Sequence, residues 1–392
     1  MNLDATISPE AAAKRLWDVV VIGAGPAGTM AARELARRDV SVLMVDRARF
    51  PRYKVCGGCL NPRSLRVLQK VGLGHLTQSL GAIPLTGLRL GANGRFAEVH
   101  LPSGAGVSRE TFDAAMARTA INAGVAFLPG VTATLPKHQS TTERQVRLRQ
   151  GNREFVAEAR VVIAASGLGS RLEEQDDTDA VSNGAPHRWE EGSRIGAGVM
   201  IPGPVAGYEP HVIYMACSTE GYVGQVLVDG NQMDVAAALD PMAVKASGGI
   251  GELAVKILDR AGFPIHPGLA AMPWKGTPHL TRRARRLGGD RLFILGDAAG
   301  YIEPFTGEGM AWALAGATQV APLAHHACRN GWDQNLLARW QMKHRRRVSR
   351  RQFVCRLTAD LLRRRLTTDL MVRLLRAMPL MAKPFLGYMY RD

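Results

Sequence analysis

The sequence predicts an α/β fold in which a parallel-sheet domain is interrupted by a mostly antiparallel β-rich lobe and followed by a C-terminal helical tail. Three observations predict it. Apolar, β-branched runs at residues 17–22, 40–45, 159–165 and 291–295 read as buried parallel strands, because a strand covered on both faces shows no polar alternation. Between about 176 and 284 the runs are short and alternating, as at 211–215 and 222–228, which suits antiparallel strands. From 331 onward Arg clusters sit among Leu and Met at helical spacing.

Composition sets the outer limits. With 392 residues, 46% hydrophobic and 21% charged, the chain is ordinary globular protein, which excludes wholesale disorder and fibres. The length suits two or three lobes. The 42 Gly and 21 Pro follow no repeat period, so collagen and solenoids are excluded. Five cysteines in a long chain do not make a secreted disulfide framework. No apolar stretch reaches the roughly 18 residues of a membrane span, and the N-terminus lacks a basic start followed by an apolar core. The expected location is cytoplasmic, either soluble or peripheral on the inner face of the membrane.

The net charge of +16 is concentrated. Residues 339–376 hold twelve Arg and one Lys against Asp360 and Asp369, a net +11, which leaves about +5 for the rest. The body is near balance and lacks the base-stacking and groove-reading motifs of nucleic-acid modules, so no nucleic-acid partner is expected.

Taken in order, residues 17–46 form a strand, a glycine turn, a helix and a second strand. Gly23-x-Gly25-x-x-Gly28 follows the first strand directly. The first glycine permits a tight turn, the second lets a pyrophosphate approach the backbone, and the third lets helix and strand pack closely. Asp46 ends the second strand 18 residues after Gly28, where a carboxylate accepts a bond from a ribose hydroxyl. Gly23, Gly25, Ala27, Gly28, Asp46 and Arg47 are therefore expected to bind a dinucleotide. The first lobe reads as Rossmann-like, and the pattern alone leaves FAD and NAD open.

The downstream segment Gly296-Asp297-Ala298-Ala299-Gly300-Tyr301-Ile302-Glu303-Pro304-Phe305-Thr306-Gly307-Glu308-Gly309-Met310 resembles the second FAD signature of flavin hydroxylases, geranylgeranyl reductases and flavin-dependent halogenases. The resemblance implies FAD as cofactor. Gly296 and Asp297 would lie at the ribityl chain, and Pro304, Gly307, Gly309 and Met310 beside the isoalloxazine at a helix N-terminus. Arg109-Glu110-Thr111-Phe112-Asp113 resembles the Arg-x-x-x-Asp helix start of the same superfamily, which implies Arg109 near the cofactor. An ordinary helix start capped by Ser108 explains that segment equally well.

Residues 50–60, with Cys56-Gly57-Gly58-Cys59, resemble the Cys-Gly-Gly loop of geranylgeranyl reductases. The departures matter as much. The Tyr-x-Trp-x-Phe-Pro segment of those reductases corresponds here to 221–228, which has neither Trp nor Pro. The halogenase Trp motif is absent, and no Lys falls between Lys70 and Lys137. The Asp-Gly pair that hydroxylases carry after the third strand is replaced by Ala164-Ala165-Ser166-Gly167. Hydroxylation tolerates these departures best, because the flavin itself carries the chemistry.

The expected protein is thus an FAD-dependent oxidoreductase, foremost a flavin monooxygenase that hydroxylates a hydrophobic aromatic or lipid-like substrate, with NAD(P)H as reductant. Cys56, Tyr222 and Pro304 would shape its site. Saturation of prenyl double bonds is the first alternative. A flavoprotein electron carrier or lipid-binding module without turnover is the second. The cofactor domain is expected at 1–175 and 285–330, with part of 83–108 in the substrate lobe. The substrate lobe would be 176–284 and the basic tail 331–392. One C-x-x-C does not make a zinc site, and His187, His211, His279 and His325-His326 lack ligand spacing, so no metal is expected. Cys56 and Cys59 read as a redox dithiol, as one Cys touching flavin or substrate, or as small residues in a close loop. Glu303 and Glu308 read as acid–base groups or as first-turn acids favoured by the helix dipole. The tail reads as a basic amphipathic surface for an anionic bilayer or as a helical cap on the body.

Overall fold

The computed structural model describes residues 2–136, 142–169, 187–284, 286–303, 305 and 307–390. Its first sheet runs β17 (Gly288–Gly289), β18 (Leu292–Ile294), β9 (Arg153–Ala164), β1 (Leu16–Ile22), β2 (Val42–Asp46) and β6 (Ala126–Pro129), with β8 (Arg144–Gln150) and β7 (Thr132–Thr134) attached beside β9. The pairs among β18, β9, β1, β2 and β6 are parallel, in registers such as Val19 with Val42 and Val19 with Val161. Four consecutive residues at the end of β1 are buried, because both faces of this sheet are covered. On one face lie α2 (Pro26–Ala36), α5 (Arg109–Asn122) and α8 (Gly309–Asn330), packed on Val19, Val21, Val42 and Met44. On the other, the β7–β8–β9 meander covers Trp17, Val20 and Ile22 with Val146 and Leu148.

The second sheet runs β15 (Lys275–His279), β11 (Ile195–Pro202), β14 (Gln232–Leu239), β13 (Gly221–Val228), β12 (Val212–Ser218), β4 (Ile83–Ala92), β5 (Arg95–Gly106) and β3 (Cys59–Leu60). All its pairs are antiparallel except β12 with β4. Strands from residues 59–106 therefore share a sheet with strands from 195–279. One face packs on α7 (Ile250–Ala261) through Leu253, Ile257 and Leu258, and α6 (Pro241–Ala246) precedes that helix. A two-stranded pair, β10 (His187–Trp189) with β16 (Arg282–Ala284), completes the strands.

Short helices α1 (Pro9–Ala13), α3 (Pro62–Lys70) and α4 (Leu76–Ser79) flank the first sheet. The tail folds as α9 (Gln334–His344), α10 (Arg350–Leu361), α11 (Arg365–Ala377) and α12 (Ala382–Tyr390). Among the described residues no helix is long and apolar enough to cross a membrane.

Candidate active site

The glycine turn has the geometry its spacing demands. Gly23 has φ +102°, and a Cβ there would stand 2.4 Å from the Ala165 carbonyl oxygen. A Cβ on Gly28 would fall 1.8 Å from the Gly23 oxygen, so only glycine allows helix α2 to pack this closely on the turn. Gly25 differs. It caps α2, and the nearest atoms to a Cβ there are Nη2 of Arg52 at 3.7 Å and Nη2 of Arg109 at 4.0 Å. A helix N-terminus facing two guanidiniums is an anion cradle, and a pyrophosphate fits it.

Asp46 lies at the end of β2, its Oδ2 accepting from the Ala24 amide at 2.7 Å and its Oδ1 from the Ala48 amide at 2.8 Å. The carboxylate thus pins the glycine turn to the strand. Arg47, Pro26 and Ala27 line the cavity beside it.

Arg109 is the first residue of α5, with Ser108 as cap, and it forks onto Asp113 through Nε at 2.9 Å and Nη2 at 2.7 Å. The helix-cap and cofactor readings of this segment are therefore compatible. Arg52 joins Asp113 at 3.1 Å. Burial alone would raise Asp113, but Arg109, Arg52 and Lys54 outweigh it and hold the carboxyl below the usual carboxylate range. One carboxylate thus orients two guanidiniums at the turn.

The second glycine motif sits directly on the first. Gly296 has φ +64°, and its Cβ position is 3.0 Å from the Ala27 Cβ. Asp297 faces Lys54 at 3.5 Å, and its backbone oxygen accepts from Arg282 Nη2 at 2.8 Å. Gly307 has φ +66°, and Gly309 opens the 22-residue helix α8. Gly307, Gly309 and Met310 line the same cavity as Gly25 and Asp297, so both motifs face one space.

Glu303 and Glu308 are both buried and both held by ion pairs. Glu308 is clasped by Asn61 Nδ2 and Arg63 Nη1, both at 2.7 Å, which ties the start of α8 to α3. Glu303 pairs with Arg194 at 2.8 Å and Arg363 at 3.1 Å. Pro304 and Thr306 lie outside the described residues, as do Ser170 and Arg171 of the third-strand loop.

The cavity measures about 590 Å3 and runs from the glycine turns across the face of the second sheet opposite α7. Leu85, Leu88, Ile213, Met215, Val226 and Ala236 give it an aliphatic wall, and Phe385, Leu386, Met389 and Tyr390 of α12 close another side. Cys56 and Tyr222 both line it. The Tyr222 ring meets Phe305 edge-on at 5.2 Å, and burial drives its phenol well above the ordinary range. Cys56 and Cys59 are free thiols, and Cys59 donates to the Gly57 carbonyl at 2.9 Å.

Several residues of the site were not expected. Arg52, Tyr53 and Lys54 belong to the same 50–60 segment as Cys56; Arg52 and Lys54 reach Asp113 and Asp297 beside the glycine turns, and Tyr53 reaches the second sheet. Tyr53 lines the cavity, and its hydroxyl is buried without a partner among the described residues. It fills the room left by Gly198, whose Cβ would be 2.7 Å away. Asp234 lies two residues before Ala236 on β14 and so on the same face. Gly58 covers it, the glycine's Cβ position being 2.8 Å from Oδ2, and its Oδ1 is buried without a partner among the described residues.

Burial pushes the Asp234 carboxyl well above the usual carboxylate range. Its folded-state value exceeds its unfolded one, so the folded state holds this proton more tightly. The associated stability is full below about pH 4 and is lost as pH rises through the shifted value. Asp234→Asn is therefore expected to raise Tm relative to wild type increasingly with pH above that range. Equal pH–Tm curves for the two proteins would show that Asp234 titrates normally.

The chain is similar to several known proteins. The geranylgeranyl diphosphate reductase of Rhodobacter capsulatus is 26% identical over 335 residues, covering 82% of this chain and 78% of that one. The menaquinone reductase of Mycobacterium tuberculosis is 37% identical over 161 residues, which are 40% of this chain and 38% of the relative. Among solved structures, Pseudomonas aeruginosa PqsL in complex with 2-aminobenzoylacetate matches with TM-score 0.71 and 19% identity, over 90% of this chain and 98% of that one. The flavin-dependent halogenase CmlS matches with TM-score 0.70 and 19% identity, over 85% and 62%. At such identity these two likenesses concern the fold. A family model described as an FAD binding domain matches residues 17–354. The chain belongs to that FAD-binding family and is an FAD-dependent oxidoreductase.

Proposed function

We propose that this oxidoreductase saturates carbon–carbon double bonds in a long, hydrophobic, prenyl-type substrate, with NAD(P)H as reductant. The carrying observation is the cavity, continuous from the two glycine motifs to an aliphatic sheet face and to α12. Its wall has small residues at Gly196, Gly224, Ala236 and Ala238, which leave room for a chain rather than gripping a compact ring. FAD, when bound, supplies the two electrons that each saturation requires.

The protein's own tasks follow. Arg52 and Arg109, oriented by Asp113, would hold the cofactor's pyrophosphate at the Gly25 cradle. The apolar wall excludes water and aligns the chain. Saturation also takes two protons, and the cavity carries exchangeable ones on Tyr53 and Cys56, with the buried acid Asp234 behind Gly58. The sequence places hydroxylation first. The reductase relative, which aligns with four-fifths of this chain, favours saturation.

Hydroxylation remains the second reading. Its support is the fold shared with nearly the whole of PqsL, described as a probable FAD-dependent monooxygenase, and a β13 without the Trp and Pro of the reductases. One experiment separates the two. The FAD-loaded protein is given NAD(P)H and a prenylated quinone or alcohol, with and without oxygen, and the product is examined by mass spectrometry. Gain of two hydrogens per double bond in both atmospheres supports saturation. Gain of one oxygen atom, only in air, establishes hydroxylation. Reductant use coupled to neither would point to the carrier or lipid-binding alternative.

Filling the wall tests the substrate path. Ala236→Phe is expected to raise KM at least about tenfold with FAD content unchanged; an unaltered KM would place the substrate elsewhere. The reading includes a hydrophobic, lipid-like partner and a location on the inner face of the membrane.

A further inference from the structure

The tail helices have already spent one apolar face on the body. Leu362 and Val372 are buried with Leu90, Ala92, Cys217 and Tyr222 of the second sheet, and Cys355 and Met389 with Ile302 and Trp312. Arg363 of this segment is tied to Glu303, and Asn93 donates to Asp369 at 2.6 Å, so the orientation of the helices is fixed. A helical cap would be complete at this point.

A second apolar face nevertheless points outward. Twelve of the seventeen large exposed hydrophobic residues among those described fall between Met342 and Tyr388. Phe353, Leu357 and Leu361 make one stripe at four-residue spacing on α10, and Leu366, Leu370 and Leu374 make another on α11. Leu366 is 84% exposed and Phe353 68%. Soluble surfaces rarely leave such a patch uncovered. Exposed Arg345, Arg346, Arg350, Arg364, Arg373 and Lys383 accompany it, and Asp360 is the exposed acid of this segment.

We infer that this outer face of α10–α12 docks on an anionic lipid bilayer. Leu and Phe side chains enter the acyl boundary while the surrounding cations meet the headgroups. Charge decides against a second copy of the chain as occupant, since two symmetric tails would bring +11 against +11. Phe385 of α12 is also exposed and lines the cavity, so docking that includes α12 would bring that side of the cavity to the lipid. This last consequence rests on the lipid-like substrate proposed above, whereas docking itself does not.

The test is sedimentation of FAD-loaded, full-length protein with vesicles of phosphatidylcholine alone or mixed with phosphatidylglycerol, without substrate. Strong binding only to the mixed vesicles is expected. Each of Arg364→Gln and Arg365→Gln should weaken it roughly fivefold, and Leu366→Gln with Leu370→Gln should reduce it at least about tenfold. Because all four side chains are solvent-exposed, Tm should stay within about 2 °C of wild type. No binding, or equal binding to neutral vesicles, overturns the inference. So does a concentration-dependent dimer, seen by analytical ultracentrifugation, that the Leu substitutions abolish. Absence of turnover in the separate assay of the proposed reaction, with docking intact, would count against that reaction and leave the docking surface standing.

Discussion

Gly25→Val is expected to fold and to purify colourless, whereas Gly28→Val is expected not to fold. The two glycines sit three residues apart in one turn, yet they face different obstacles. At Gly28 a Cβ would overlap the Gly23 carbonyl oxygen at 1.8 Å, and that oxygen is backbone held by the strand. Relief requires α2 to lift from β1, undoing packing around buried Met30, Ala31 and Leu35, which costs more than about 3 kcal/mol. At Gly25 the space ahead is the cradle itself, bounded only by the Arg52 and Arg109 guanidiniums at 3.7 and 4.0 Å. Its backbone has no positive φ, since Gly25 adopts φ −78° and ψ −177°, so valine is tolerated by the chain. The added side chain would occupy the place proposed for a phosphate at the amides of α2. Loss of FAD affinity by roughly a hundredfold, about 2.7 kcal/mol, follows. The ratio of flavin to protein absorbance and a circular-dichroism melt read the two effects separately. Gly25→Val protein that stays yellow would show that the pyrophosphate lies elsewhere.

Much of the fold was legible because burial on both faces removes polar alternation. That condition holds for β1, β2 and β18, and it fails for β9. Only the second half of β9 pairs with β1; the first half, from Arg153, pairs antiparallel with β8 and alternates. The apolar run at 159–165 therefore marks only part of a twelve-residue strand. Helix α8 runs on to Asn330 although it contains Pro322, because its apolar residues pack along the first sheet on both sides of the proline. The glycine motifs were legible as well, since their spacing encodes backbone approach. What stayed hidden are pairings over long separations. Arg52 meets Asp113, and Asn61 meets Glu308 across 247 residues, and nothing local to either residue announces the partner. Asp234 was hidden for a related reason. A single acid in an apolar strand reads as a solvent-facing position until the Gly57-Gly58 loop is seen to cover it.

Glu303→Ala is expected to destabilise the protein by about 3–5 kcal/mol, a larger effect than loss of an exposed ion pair. Glu303 and Arg194 are each about 1% exposed and meet at 2.8 Å. Removing the carboxylate strands a guanidinium whose remaining described contacts are the Thr219 carbonyl at 3.1 Å and the Tyr222 ring, 5.7 Å to its centroid. The desolvation already incurred by Arg194 then goes uncompensated. The same carboxylate receives Arg363 from the tail at 3.1 Å, so its loss also frees that helix junction from the loop between Asp297 and Gly309. A rescue separates charge burial from positioning. Arg194→Met combined with Glu303→Leu removes both charges at similar volume, and such replacements are often neutral or stabilising. The double variant should recover most of the lost Tm. Recovery of Tm together with recovery of FAD content would mean that the pair only avoids a buried charge. If Tm returns but FAD content does not, the Arg194–Glu303–Arg363 bridge positions the flavin loop. An undiminished Tm in Glu303→Ala alone would show that water reaches Arg194 and that the bridge is not buried in solution.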